Sequence, residues 1–106
     1  MSEQVNEVRL AGRVSAVATE RELPSGDVIA TFRLSVPRSQ DKGGCDAIDC
    51  AVWRAALRRT VAAWHVGDEV EVSGELRRRF WRGASGVASR YEVEVRQARR
   101  TARAPS

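Results

Sequence analysis

A chain of 106 residues with a formal net charge of +4 is sized for one domain, and burying about two-thirds of its unfolded surface gives it a single compact core. No apolar run approaches the roughly 18 residues of a membrane span, and the N-terminal stretch Met1–Val8 carries acids but no apolar segment like that of a secretory signal, so a cytoplasmic protein with no membrane partner is expected. Two cysteines, Cys45 and Cys50, and one histidine, His65, fall short of the usual four ligands of a zinc site; no metal or cofactor is expected, and in a reducing compartment both thiols stay free.

Strand signals open the chain. Val8, Leu10 and Val14 alternate with Arg9, Ala11 and Arg13, which predicts a first strand over about residues 5–20. The cluster Leu23-Pro24-Ser25-Gly26-Asp27 is a turn. In the second strand Ala30, Phe32, Leu34 and Val36 share one face, and Thr31, Arg33 and Ser35 the other, until Pro37 ends the pairing. Residues 37–46 read as a loop. A short third strand, about 47–53, turns Ile48, Cys50 and Val52 inward and Asp49, Ala51 and Trp53 outward. The period then changes. Leu57, Val61 and Trp64 among good helix formers predict a helix over about 54–63, with Trp64 in the core.

The fourth strand, about 69–81, places Val70, Val72, Gly74 and Leu76 toward the core. Its outer stripe runs from acidic to basic and aromatic: Glu69, Glu71, Ser73, Glu75, Arg77, Arg79, Trp81. Phe80, of opposite parity, is expected in the core, and Arg78 at a rim or interface. After a glycine-containing loop at 82–86, a last strand over about 89–97 alternates Tyr91, Val93 and Val95, inward, with Arg90, Glu92, Glu94 and Arg96, outward. The order β-β-β-α-β-β predicts an all-β fold: a five-stranded OB-fold Greek-key barrel with one short helix between strands 3 and 4. A small sandwich or SH3-like barrel is the rival, and the helix favours the OB-fold. The domain is expected over 1–98, with a basic, disordered tail over 99–106.

Charge is unevenly spread. Residues 1–76 carry a net −3 and residues 77–106 a net +7, and 17 of the 18 basic residues are arginine. Arginine forks onto phosphate and stacks on rings. Single-stranded nucleic acid offers base faces and phosphates together, so a binder that ignores sequence needs rings and cations interleaved. Trp53 and Trp81 fall on outward parity and are the candidate stacking platforms; the competing reading packs them under a loop or into a subunit contact. Arg77 and Arg79 share the Trp81 stripe. Arg9, Arg13 and Arg33 lie outward on strands 1 and 2, and Arg21, Arg38, Arg82 and Arg90 on or near loops. Each is a candidate phosphate contact; the competing reading for any one of them is a solvated surface charge. No nucleophile elbow or phosphate-cradling glycine motif occurs, so neither an enzyme nor a small-molecule substrate is expected.

These residues carry a family resemblance. The stretches Asn6-Glu7-Val8-Arg9-Leu10-Ala11-Gly12-Arg13-Val14, Ala30-Thr31-Phe32-Arg33-Leu34, Val52-Trp53, Gly67–Arg77, Arg77-Arg78-Arg79-Phe80-Trp81 and Arg90–Val95 run in the order of the DNA-binding domain of bacterial single-stranded DNA-binding proteins. The resemblance implies an OB-fold assembled as a homotetramer that wraps single-stranded DNA in replication, recombination and repair, associated with the nucleoid. It implies that Trp53 and Trp81 occupy base-stacking positions, Arg77 and Arg79 backbone-contacting positions on strand 4, and Arg21 one in the first hairpin. There are departures. Gln40 and Ala47 stand where the family often has tryptophan, and Glu7 and Asp49 replace basic residues. The acidic C-terminal tip that recruits other enzymes in the family has no counterpart, so that hub role is not expected. Weaker binding than in a typical member, or a shifted strand path, follows from the missing rings. An OB-fold module that binds protein, or one that binds RNA, are the alternatives.

Overall fold

The computed structural model describes residues 3–39 and 43–105. Its elements are β1 (Val8–Glu22), β2 (Val28–Pro37), β3 (Cys45–Val52), α1 (Ala55–Ala62), β4 (Glu69–Gly83) and β5 (Gly86–Ala102). The strands close into a barrel in the order β1-β2-β3-β5-β4, with β1 pairing β4 to complete the circle. β3 and β5 run parallel at Cys50↔Val93 and Ala51↔Glu94; the other pairs are antiparallel. This is the five-stranded Greek-key barrel, with its helix between β3 and β4, that the chain order predicts.

The inward set follows the alternation through most of the barrel. Val14, Ala30, Phe32, Leu34, Cys50, Val52, Val70, Val72, Val93 and Val95 are buried together with Val61 and Trp64. Phe32 and Trp64 meet edge to face, centroids 5.5 Å apart, a favoured aromatic geometry. α1 has no side-chain cap at Arg54, so its stability comes from packing Val61 and Leu57 on the core rather than from its ends. Register shifts between Val14 and Ala16 and between Ala16 and Thr19 bend β1 around the barrel. A further shift falls at Ser73/Gly74, where β5 carries the extra residue Arg96. There the backbones approach so closely that a Cβ on Gly74 would collide with the Glu94 carbonyl oxygen, which explains a glycine at that position.

Four expectations need correction. The segment expected to be disordered from Arg99 is strand as far as Ala102. Arg99 lies opposite Glu71 and Arg100 opposite Val70, and the two guanidinium groups reach Glu71 and Asp68, each at 3.4 Å. The acidic start of β4 is thus the partner of the basic end of β5. Ser106 lies outside the described residues. Leu76, Phe80 and Tyr91, expected inside, are 45%, 63% and 58% exposed. Pairing of β4 with β1 stops at Gly74 and pairing of β5 with β3 begins at Val93, so Leu76–Gly83 and Gly86–Tyr91 form a two-stranded arm whose apolar face stands in solvent. Glu92, expected in solvent, is buried, for reasons given below. Ala51, also expected outward, is buried as well: it is flanked by Thr31 of β2 and Glu94 of β5, and larger neighbours on both sides shade a lone methyl.

Asp68 ties the ends of the fold together. Its carboxylate accepts hydrogen bonds from the backbone N–H of His65 (2.9 Å) and of Ala104 (2.7 Å) and from Arg100 Nη1 (3.4 Å). The bond from His65, then that from Ala104, hold its carboxyl below the usual range against the opposing effect of burial, with Arg100 adding to them. Beside it, the Gly67 N–H donates to Val14 O and the Val14 N–H to Asp68 O.

Candidate nucleic-acid interface

The arm carries the aromatic and basic end of β4 out from the barrel, and its two faces differ. On one face the parity of the strands puts Arg77, Arg79 and Trp81 beside Arg90 and Glu92. Trp81 is 48% exposed, and Arg90 lies over its ring with the guanidinium carbon 5.9 Å from the centroid. Arg21, at the end of β1, completes a cleft of about 360 Å³ with Arg79, Phe80, Trp81 and Arg90. Trp53 follows β3 and is half-buried. It lines a second cleft with Arg54, Glu94, Val95 and Arg96, and Arg79 lies over its ring at 5.2 Å. Arg79 is therefore shared, lining the Trp81 cleft while resting on Trp53.

On the reverse face, Arg78 lies 5.0 Å over Phe80 and 5.4 Å over Tyr91, and its Nε and Nη2 donate to Ser89 Oγ. Leu76, Phe80, Val87 and Tyr91 leave this face apolar and exposed.

The other candidate arginines fall into two groups. Arg33 and Arg90 line a pocket of about 240 Å³ with Asp49 and Glu92, and Arg77 reaches Glu94 at 3.7 Å, next to the Trp53 cleft. These join the indole face. Arg9 belongs to a groove with Asn6, Arg54, Ser73 and Arg96. Arg13 sits opposite Ser35 and Glu69, Arg38 beyond the end of β2, and Arg82 near the tip of the arm. The structure brings Arg21, Arg33, Arg77, Arg79 and Arg90 to the indole face; Arg9 stands in a groove that shares Arg54 and Arg96 with the Trp53 cleft, while Arg13, Arg38 and Arg82 line neither indole cleft.

Carboxylates accompany most of these cations. Arg9 meets Glu71 at 3.0 Å, Arg33 meets Asp49 at 2.9 Å, Arg38 meets Asp46 at 3.2 Å and Arg79 meets Glu92 at 2.8 Å. The Arg9 hydrogen bond, with help from Arg99 and against partial burial, holds the Glu71 carboxyl below the usual range. A phosphate approaching Arg33 or Arg79 would share the guanidinium with a carboxylate already in place.

The model of the Single-strand binding protein family matches residues 5–101. The chain belongs to that family. It is 32% identical over 95 residues to a single-stranded DNA-binding protein of Bacillus cereus, covering 86% of this chain and 55% of that protein. It is 30% identical to one of Oceanobacillus iheyensis over 86% of this chain and 58% of that protein. The chain thus spans a little over half the length of these relatives. Among solved structures, a Plasmodium falciparum SSB in complex with single-stranded DNA superposes with a TM-score of 0.75 at 22% identity, over 93% of this chain and 95% of that one; that likeness shows the fold.

Within this member of the family, Ala47 is exposed on β3 and Asp49 is half-buried against Arg33, while Gln40 lies outside the described residues. Arg54 and Arg96, which line the Trp53 cleft, and Glu92 are site residues that sequence reasoning missed, and Glu92 is the buried one. Alternation puts it on the indole face, but its burial comes from Arg79 and Arg90 folding over it, with Phe32 and Cys50 beside it. The available signal was its position directly across from Arg77 and diagonal to Arg79. Cys50, in the same place, has its thiol pushed up to about 12, chiefly by burial and further by the charges of Asp49 and Glu92; it is an inert core side chain.

Proposed function

We propose that the chain binds single-stranded DNA irrespective of sequence, stacking bases on Trp53 and Trp81 and holding phosphates with Arg21, Arg33, Arg77, Arg79 and Arg90. Arg9, Arg13, Arg38 and Arg82 are assigned a secondary part, extending the path beyond the indoles. The single observation carrying this is Trp81, half-exposed in a cleft with Arg21, Arg79 and Arg90. An indole is not left in water beside so many cations for stability's sake, whereas a base and its phosphate satisfy both. We infer a setting in replication, recombination or repair, in the cytoplasm and at the nucleoid; membership of a single-strand binding family supports that reading.

Copies of the chain are proposed to associate, as a tetramer, through surfaces that include the apolar reverse face of the arm. A face with Leu76, Phe80, Val87 and Tyr91 exposed together is the kind that marks a protein contact.

Titration with oligothymidine at two salt concentrations, with molecular mass determined alongside, tests the proposal. Quenching of indole fluorescence and an affinity that falls with salt are expected. The salt slope should be shallow for so arginine-rich a face, because Arg33, Arg77 and Arg79 already have carboxylate partners. Absence of quenching at low salt would sink the proposal and favour a module that binds protein through its apolar face. Competition by a matched oligouridine decides between DNA and RNA.

A further inference from the structure

We propose that Glu92 is a positioning residue of this interface: from the junction of barrel and arm its carboxylate holds Arg79 against Trp53 and Arg90 against Trp81, leaving each indole one open face for a base. The inference rests on the single-stranded DNA proposal above.

Glu92 is 3% exposed. Arg79 Nε donates to its Oε2 at 2.8 Å, and Arg90 Nε stands 3.9 Å from its Oε1. A buried carboxylate needs charged partners, so it fixes where both guanidinium groups stay. Both contacts use the inner nitrogen, which leaves the outer Nη pair of each arginine as donors for phosphate. The same two guanidinium groups lie over the two indoles, at 5.2 and 5.9 Å. One anion thus links two cation–ring pairs that sit on different strands and serve different clefts. Without it, each arginine would have to be ordered when DNA binds, at about two- to tenfold in affinity per long side chain.

Two variants test this. Glu92→Gln keeps the reach and removes the charge; Glu92→Asp keeps the charge and shortens the reach. Each is titrated with oligothymidine at several salt concentrations, and its thermal midpoint is recorded. The expected result is a loss of about tenfold in affinity extrapolated to 1 M salt, together with weaker maximal quenching. Extrapolation removes the gain that any added positive charge would bring. A purely structural role would lower the thermal midpoint and leave saturating quenching intact. Wild-type quenching with unchanged or tighter binding in the folded variants overturns the inference and makes the carboxylate a competitor of phosphate. Should Glu92→Gln fail to fold, Glu92→Asp alone decides. Failure of the wild type to bind oligothymidine is a separate outcome: it removes the interface proposal itself, and this inference with it.

Discussion

β4 and β5 run through both the barrel and the arm, and alternation means different things in the two regions. Inside the barrel, Val70, Val72, Val93 and Val95 are buried because four other walls face them. A few residues further on the same strands, Leu76, Phe80 and Tyr91 keep the same parity and stand in water. A period of two assigns side chains to faces; it does not say whether anything lies against the face. The barrel is where apolar side chains hold the fold together, and the arm is where rings stand exposed.

The largest effect should come from removing a ring in the barrel. Phe32→Ala deletes a buried ring that packs edge-on against Trp64, and a loss of about 3–5 kcal/mol of stability is expected, read from urea unfolding. Trp81→Ala should do the reverse. It should leave the urea midpoint nearly unchanged and weaken oligothymidine binding by about 1–3 kcal/mol, tenfold or more at the middle of that range. A Trp81 variant that binds as the wild type does would remove Trp81 from the interface.

The carboxylate at the other end of the same strands, Asp68, gives a pH-dependent version of the comparison. Its pKa is depressed in the fold, so its contribution is fully present above the unfolded value of about 3.9 and is lost as pH falls through the lower folded value. Asp68→Asn should remove Asp68's share of the acid limb of stability, leaving that of Glu71, and speed amide exchange at Ala104, whose N–H Asp68 accepts. Oligothymidine binding at neutral pH should change little, because Asp68 lies outside the indole clefts. Equal acid sensitivity in the variant and the wild type would mean that Asp68 does not anchor the end of β5.

The barrel was legible because its strands are amphipathic and its turns carry Pro24, Gly26 and Gly67. The helix was legible from the change of period after Trp53. Both indoles and the Arg77, Arg79 stripe could be placed by parity alone. The end of β5 could not, since Arg99 and Arg100 have no apolar partner in sequence and are ordered by Glu71 and Asp68, far back along the chain. Glu92 was illegible for the same kind of reason: its burial depends on where Arg79 and Arg90 fold. Ion pairing between strands leaves no periodic mark, whereas burial of apolar side chains does. The exposure of Leu76, Phe80 and Tyr91 depended on how far β4 and β5 outrun β1 and β3, a length that register fixes and composition does not.

The smallest effect is the sharpest test of that last point. Phe80 is as large and apolar as Phe32, yet 63% exposed, with Arg78 resting on its ring. If the arm has no core behind it, Phe80→Ala in the isolated chain should shift stability by no more than about 0.5 kcal/mol, against several for Phe32→Ala. The two substitutions remove the same atoms, so the difference reports only what surrounds them. A large loss at Phe80 that grows with protein concentration would place the ring in a contact between copies, because mass action makes such stability concentration-dependent. A large loss independent of concentration would mean that the arm folds back onto its own barrel, and the two regions would then be one.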